Sequence, residues 1–319
     1  MSSRMTLAPL QPVSGRSDGE TGAAPLIRRP LELSGRAVRA VAAARVAYEL
    51  AAQHHAVVHV VSVVDTRSAP LPLPLDIALA MGDAIGSTEL HRERERSVRA
   101  ELSGALSESI DWPVRIMLGT PSAAIVQEAN HIGAVLIILG LRRHGRLDRV
   151  VHDETTLNVM RVASCPVLGV VTEMNKLPRR ILAAVDFSEG SLVALRTGGA
   201  VAAEGAVLVL AYVSAMSGFL TDEGEATIHE LGVRAGFEKL ARELGDDGLM
   251  FDHVVLHTAP PQSPAQALLE YADDVKSDLI TAGSVQHSRL DQWMVGSVSA
   301  EIVRNGRRSV LIVPPRRRA

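Results

Sequence analysis

The chain has 319 residues, a formal net charge of −3 and a hydrophobic content of 47%, which fits a globular protein of about two domains. Aromatic residues make up only 3%, so the core must be built from alanine, valine, leucine and isoleucine, as in buried parallel strands. The weak charge gives no electrostatic basis for binding nucleic acid or an anionic membrane, and no apolar run is long enough for a transmembrane helix.

Residues 1–24 are rich in serine, glycine, proline and threonine, and we expect a disordered tail there. They lack the basic start and the apolar stretch of a secretion signal. The single cysteine, Cys165, excludes an internal disulfide and favours the cytoplasm. It precedes a predicted core strand, so we expect a buried thiol and not a nucleophile.

The rest of the chain is a tandem repeat. At a shift of 143 residues, 121–170 align with 264–313 without a gap, and 14 of these 50 positions are identical. The sequence therefore predicts two domains, at 25–172 and 179–315.

The N-terminal parts of the two copies align less well. Residues 27–34 face 181–188 at a shift of 154, which places Glu32 opposite Asp186. The different shift implies extra residues in the first copy, and the proline-broken segment 69–74 is where we expect them. Farther on, residues 92–99 mix charges at helical spacing, which is typical of an exposed helix face held by ion pairs.

Strands and helices alternate in each copy, most clearly in the second. Strands are predicted at 180–185, 206–213, 251–257, 278–282 and 309–313. Helices are predicted from an N-cap at Ser188 to about 203 and at 227–244, 264–275 and 297–305. This order favours an α/β fold in which each domain is a doubly wound parallel sheet. Ligands of such sheets bind beyond the carboxyl ends of the strands, at a switch point.

One segment of the second copy has residues suited to binding an anion. Gly283-Ser284 ends a predicted strand, and Gly296-Ser297-Val298-Ser299 opens a predicted helix. Glycines let a backbone approach a ligand closely, and a helix start offers unpaired N–H groups and a positive dipole end. The segment therefore predicts a phosphate site, although a structural turn followed by a capped helix has the same pattern.

These residues resemble the universal stress protein family, here as two fused domains. Asp186-Phe187-Ser188-Glu189 is similar to the family's acidic Asp-x-Ser, and Tyr212-Val213 stands where the family commonly has His-Val. The glycine–serine segment resembles the family's nucleotide motif, which is Gly, two residues, Gly, nine residues, then Gly-Ser or Gly-Thr. In the first copy, Gly119-Thr120-Pro121 and Ser164-Cys165-Pro166-Val167 are also similar to the family. The resemblance covers about nine tenths of the chain.

The resemblance implies a stress-response module that binds ATP or another adenine nucleotide in its second domain, with Mg²⁺ accompanying the phosphates. Asp186 and Val213 would hold the adenosine, with Ser188 beside them. The ribose and phosphates would be held by Gly283, Ser284, Gly296, Ser297, Val298 and Ser299. Gln286 replaces the motif's middle glycine, and its side chain would either crowd a phosphate or donate a hydrogen bond to it.

The first copy is chemically different at the same place. Gly140 is kept, but Arg143 replaces the middle glycine, and Asp153-Glu154-Thr155-Thr156 stands where the second copy has Gly-Ser-Val-Ser. Two carboxylates suit the helix dipole but would repel a triphosphate by roughly 1 kcal/mol or more per close pair. We therefore predict that the first domain is folded but binds no nucleotide.

Two other functions fit parts of the sequence. A nucleotide-independent interaction scaffold would need only the packing surfaces of both domains. An enzyme of the wider adenine-nucleotide superfamily would carry a Ser-Gly-Gly-x-Asp-Ser motif after the first strand. Residues 186–191, which stand at that place here, lack the paired glycines. No base–nucleophile pair and no spacing of metal ligands is evident either. We therefore expect no enzyme and no metal site, with slow incidental ATP hydrolysis left open.

The family resemblance also implies how the domains associate. Single-domain members commonly dimerise through their last strand, which here is 167–171 in one copy and 309–313 in the other. We therefore expect the two domains to pair within the chain, with a homodimer as a further step.

Overall fold

The structure, a computed structural model, describes residues 31–34, 37–65, 86–108, 110–141, 154–214, 223–245, 250–258, 260–284 and 296–315. Their contacts divide them into two units that change over between Lys176 and Leu177. We call these the first and the second domain. The predicted tail, the segment 69–74, Arg143, Asp153 and Gln286 lie outside the described residues, and the predicted boundaries stay predictions at the level of single residues.

The first domain alternates strands and helices, as the sequence indicates. Its elements are β1 (Leu31–Ser34), α1 (Ala37–His54), β2 (Val58–Asp65), α2 (Gly86–Leu106), β3 (Val114–Gly119), α3 (Pro121–Ile132), β4 (Leu136–Gly140), α4 (Glu154–Val162) and β5 (Val167–Val170). The strands pair in parallel in the order β3-β2-β1-β4-β5.

The second domain repeats this plan. Its elements are β6 (Arg180–Val185), α5 (Glu189–Ala200), β7 (Val207–Ser214), α6 (Glu223–Gly245), β8 (Met250–His257), α7 (Pro264–Asp274), β9 (Leu279–Gly283), α8 (Ser297–Asn305) and β10 (Ser309–Val313). The order β8-β7-β6-β9-β10 is again parallel. The predicted α/β class and doubly wound sheets are confirmed, and the switch point of this domain lies between β6 and β9.

The strand sequences explain why the sheets are parallel. Every residue of β5 and of β10 is buried, and so are the first four of β4 and of β9. Strands that are apolar on both faces need helices on both sides, which crossover connections supply. Helix starts are marked by local chemistry: Ser188 caps α5, and Ser263 with Gln266 forms a capping box before α7.

Two smaller predictions about the first domain are confirmed. On α2, Arg99 contacts Glu95 at 2.9 Å and Arg92 contacts Glu89 at 4.0 Å, so the mixed-charge stretch is a helix face with ion pairs. Cys165 is buried beside β5. Of the helices that the structure describes, none combines the length and apolar character needed to cross a bilayer.

Candidate functional site

A tight turn at the end of β6 presents the Asp186 carboxylate. Its Oδ1 accepts hydrogen bonds from the Ser188 N–H at 3.0 Å and from the Ser188 hydroxyl at 2.5 Å. The Ser188 oxygen in turn accepts from the Ser191 N–H at 3.2 Å, which caps α5. Asp186 and Ser188 are both exposed. The strand end, the carboxylate and the helix start are therefore held as one unit at the switch point.

Opposing effects act on the pKa of Asp186. Partial burial raises this pKa, but hydrogen bonds from the Ser188 side chain and N–H, with a further one from Ser191, outweigh that effect. The pKa therefore lies below its ordinary value of 3.8. The carboxylate is ionised at neutral pH, so Asp186 can accept hydrogen bonds from a ligand but repels an anionic group.

This shift predicts a pH dependence of stability. A lowered folded-state pKa contributes stability above the ordinary pKa that is lost as the pH falls through the folded value. Compared with Asp186→Asn, the wild type should gain less than about 1 kcal/mol at pH 7, because the carboxylate is exposed. Urea unfolding of both proteins between pH 7 and pH 2.5 measures the difference. A gap that widens on acidification would contradict the assignment.

The end of β7 lies next to this turn. Tyr212 is the register partner of Val185, so Val213 falls level with Asp186 on the neighbouring strand. Val213 is half-buried. The structure thus brings together the two residues that the resemblance assigned to adenosine.

Gly283, at the end of β9, is required by packing inside the domain. A Cβ on this residue would lie 2.9 Å from the Gly190 carbonyl oxygen and 3.4 Å from the Ser191 nitrogen. The strand end therefore approaches the first turn of α5 more closely than any side chain allows. The sequence interpretation attributed this glycine to a ligand, and that stays a prediction; the structure adds a packing reason for it, the close approach of β9 to α5.

Ser284 and Ser299 are also engaged within the domain. Ser284 is 7% exposed and its N–H donates to the Val313 carbonyl at 2.9 Å. Ser299 is 4% exposed, and its hydroxyl donates to the Gly283 carbonyl at 3.2 Å. Ser299 thus links the start of α8 to the end of β9 through its hydroxyl, and its predicted contact with a nucleotide stays a prediction.

The start of α8 differs from the capped starts of α5 and α7. Its N-cap is Gly296, which offers no side-chain acceptor to the first-turn N–H groups. Ser297 is exposed and Val298 is half-buried. Orphan N–H groups and a positive dipole end at an accessible helix start are what an anion requires.

The nine residues predicted from the sequence therefore converge on one place but differ in role. The accessible groups are Asp186, Val213, Gly296, Ser297 and Val298, together with the outer side of Ser188. Gly283, Ser284 and Ser299 hold the strand and helix ends in position. The residues between Ser284 and Gly296, with Gln286 among them, are outside the described part of the chain.

The structure corrects one equivalence between the domains. Leu31 pairs with Leu136 on β4, whereas Ile181 pairs with Leu279 on β9. Because Leu136 corresponds to Leu279 at the shift of 143, Leu31 corresponds to Ile181 and Glu32 to Leu182. The alignment of Glu32 with Asp186 was wrong by four residues, since strand register is set by pairing across the sheet. Counting on, the counterpart of Asp186 is Arg36, which lies outside the described residues.

The first domain also differs within β2. The counterpart of Tyr212 in this register is Ser62, which is 5% exposed and accepts a 3.1 Å hydrogen bond from Arg94 Nε on α2. A serine that is hydrogen-bonded to a guanidinium therefore takes the strand position that Tyr212 has in the second domain. Sequence analysis had not singled out this pair.

The aromatic contacts beside Asp186 were also missed. Phe187 stacks on Tyr212 with ring centroids 4.9 Å apart, and it meets Phe237 edge-on at 5.1 Å. The signal was present in the sequence, because a chain with 3% aromatic residues places one aromatic residue directly after Asp186 and another directly before Val213. Within the described residues, no group of three histidine, cysteine or acidic side chains is arranged to hold a metal ion.

Comparison with known proteins follows the two-domain division. The model of the universal stress protein family matches residues 36–170 and again residues 178–314. A universal stress protein from Archaeoglobus fulgidus DSM 4304 is similar at a TM-score of 0.64 and 17% identity, over 90% of this chain and 98% of that one. A functionally unknown protein from Pseudomonas aeruginosa PAO1 is similar at a TM-score of 0.58 and 15% identity, over 92% and 94%. Likenesses at such identities show the fold alone. No protein of curated function is significantly similar.

Proposed function

This chain belongs to the universal stress protein family, as two tandem domains, and we propose that its second domain binds ATP as a non-catalytic regulatory switch in a stress response. Family membership supports the stress-response module. The choice of ligand and the choice of domain are inferences from the site. The first domain, in this proposal, binds no nucleotide.

The observation that carries the proposal is the start of α8 beside the switch point, where Gly296 provides no side-chain cap. The Ser299 hydroxyl fixes this helix start to the end of β9, and Gly283 fixes the end of β9 to α5. The first-turn N–H groups of α8 are therefore preorganised with no side-chain acceptor at Gly296. Preorganised N–H donors bind an anion without an ordering cost at the moment of binding.

The charge of Asp186 sets the orientation of the nucleotide. An ionised carboxylate repels phosphates and accepts hydrogen bonds from neutral donors. The phosphates therefore belong at α8, and the adenosine, which carries an amino group and ribose hydroxyls, belongs at the ends of β6 and β7. Mg²⁺ would accompany the phosphates, since hydrated magnesium is commonly held through substrate phosphates.

We further propose that bound ATP acts by shifting a conformational equilibrium that a partner protein detects. Such a switch needs only a difference in affinity between two states. Hydrolysis is not part of it. Among the described residues near the site, the hydroxyls of Ser188 and Ser299 donate to the Asp186 carboxylate and to the Gly283 carbonyl, and in this proposal neither serves as a nucleophile.

A nucleotide-independent scaffold is the second candidate, and one observation favours it. Gly283 and Ser299 are both explained by packing within the domain. If the rest of the motif were likewise structural, both domains would serve only as interaction surfaces.

Equilibrium titration with labelled ATP tests the proposal. We expect saturable binding that ADP and AMP compete for, and recovery of intact ATP from the complex after prolonged incubation. Absence of binding would leave the scaffold, and release of ADP at each turnover would overturn the non-catalytic switch.

Localisation and association complete the proposal. We propose a cytoplasmic protein, on the basis of its single buried cysteine. Pairing of the domains within the chain and a homodimer stay predictions from the family resemblance. Sedimentation equilibrium with and without ATP measures the association state.

A further inference from the structure

Phe187, next to Asp186, has an unusual backbone conformation. Its φ of 62° lies in the left-handed region, which a bulky side chain rarely adopts because its Cβ crowds the neighbouring carbonyl. Strain of this kind persists only where the surroundings over-determine it, and it is concentrated at functional sites.

Aromatic contacts hold Phe187 in this strained conformation. Its ring stacks on Tyr212 with an interplanar angle of 23° and meets Phe237 at 87°. Stacked and edge-on arrangements are the preferred geometries of aromatic pairs. Phe237 is 3% exposed, so the ring of Phe187 is anchored to the core of the domain.

Helix α6 makes room for this ring. A Cβ on Gly236 would lie 2.6 Å from the Phe187 Cγ and Cδ1 atoms, so only glycine fits there. Glycine inside a helix is destabilising compared with alanine. By contrast Gly232, one turn earlier on α6, would meet no atom within 4 Å.

The backbone conformation of Phe187 affects the direction of the Asp186 carboxylate. Phe187 is the one residue between Asp186 and Ser188, so its φ decides whether the carboxylate can turn back to accept both Ser188 donors. If the backbone relaxed to the right-handed side, these two hydrogen bonds and the direction of the carboxylate would change together.

We propose that Phe187, held by Tyr212, Phe237 and Gly236, is a positioning residue that forces the strained turn and thereby aims the Asp186 carboxylate at the neutral hydrogen-bond donors of a ligand. We call these four residues the aromatic clamp. The identity of that ligand rests on the proposed function, but the positioning of Asp186 does not. The clamp also joins the site to α6, so its ring contacts are what a ligand-induced movement would have to alter.

Two substitutions at Phe187 separate the effect of its ring from the effect of its backbone conformation. Phe187→Ala removes the ring but keeps the strain, whereas Phe187→Gly removes the ring and permits a positive φ without strain. We expect Phe187→Ala to raise the pKa of Asp186 towards its ordinary value and to weaken ATP binding about tenfold, the scale of one lost charge-assisted hydrogen bond. Phe187→Gly should recover most of both effects.

Substitutions on α6 give an independent test that leaves Phe187 in place. Gly236→Ala must displace the ring and should also raise the Asp186 pKa, whereas the matched Gly232→Ala should leave it unchanged. NMR titration of the Asp186 carboxyl carbon measures the pKa in each full-length protein, and circular dichroism checks folding. Should Phe187→Ala fail to fold, Phe187→Gly and Gly236→Ala still decide.

The outcomes separate this inference from the proposed function. An Asp186 pKa that is unchanged in Phe187→Ala or in Gly236→Ala overturns the clamp, as does equal behaviour of Phe187→Ala and Phe187→Gly. If the wild type binds no ATP, the proposed function fails, while the NMR titration still tests whether the clamp positions Asp186.

Discussion

Replacing Gly296 by aspartate is expected to weaken ATP binding without destabilising the protein. The substitution places at the start of α8 the acidic residue that the first copy has at Asp153. A carboxylate there would accept the first-turn N–H groups that a phosphate needs and would add a negative charge close to it. Repulsion of about 1–4 kcal/mol per close pair corresponds to a roughly 5- to 1,000-fold loss of affinity.

The stability of Gly296→Asp should stay the same or rise slightly, although its affinity for ATP falls. Gly296 has φ −56° and ψ 157°, which any residue can adopt. Aspartate is a better N-cap than glycine by a few tenths of a kcal/mol and gains roughly 0.3–1 kcal/mol from the helix dipole. Gly296→Asp should therefore unfold at the same or at a slightly higher urea concentration than the wild type.

Gly296→Asn is the matched control because it caps the helix without adding charge. We expect its ATP affinity to fall between those of the wild type and Gly296→Asp. Isothermal titration calorimetry on the three proteins measures this order. Equal affinity of the wild type and Gly296→Asp would remove α8 from the binding site.

Replacing Gly283 by alanine should have the largest effect on stability. The new Cβ would lie 2.9 Å from the Gly190 oxygen and 3.0 Å from the Gly190 carbonyl carbon. Both are backbone atoms, held by α5 on one side while β9 is held between β6 and β10. Overpacking of this kind costs about 1–3 kcal/mol, and we expect a loss of that size in the free energy of unfolding.

Gly190→Ala provides the comparison on the other side of the same contact. Its Cβ would meet the Ser188 hydroxyl oxygen at 3.5 Å and the Ser284 carbonyl oxygen at 3.8 Å, which are ordinary contact distances. Alanine also favours the helix, so the free energy of unfolding should stay within about 0.5 kcal/mol of the wild type. Chemical denaturation of both variants gives the two values. If the two variants had equal free energies of unfolding, the close approach of β9 to α5 would not be the reason that residue 283 must be glycine.

The fold could be predicted because its signals are local and repeated. Wholly apolar segments such as 310–313 indicated buried parallel strands, and the ungapped repeat carried the assignment from one copy to the other. Ser188 was correctly predicted as a helix cap, since capping depends on a residue and its next three neighbours. Fold class and domain number follow from such short-range patterns.

The register of β1 could not be obtained in this way. Leu31-Glu32-Leu33-Ser34 is similar in composition to Val185-Asp186-Phe187-Ser188, and that likeness misplaced it by four residues. Hydrogen bonds to two neighbouring strands, at Leu136 and Val58, decide the register. These partners are distant in sequence, so no local pattern contains the information.

The separate roles of the residues within the site could not be predicted from the sequence either. Gly283 and Ser299 fit a phosphate motif in sequence, yet the structure explains both by contacts between β9, α5 and α8. The stacking of Phe187 on Tyr212 depends on a glycine in α6, far along the chain. A motif specifies which residue types meet, whereas their roles depend on what else packs against them.

The two domains share one fold and differ in charge at the end that we propose binds nucleotide. The second domain has an uncapped helix start and an aromatic pair, and the first has Arg94 on Ser62 and the acidic residues of its sequence at the equivalent helix. This difference is the basis for assigning nucleotide to one domain only.

The number of ATP molecules bound per chain tests that assignment most directly. Calorimetric titration of the full-length protein with Mg-ATP should give a stoichiometry of one, and the affinity should fall in Gly296→Asp. A stoichiometry of two would place nucleotide in the first domain as well, and a single site of unchanged affinity in Gly296→Asp would place it away from α8; either result would contradict the account.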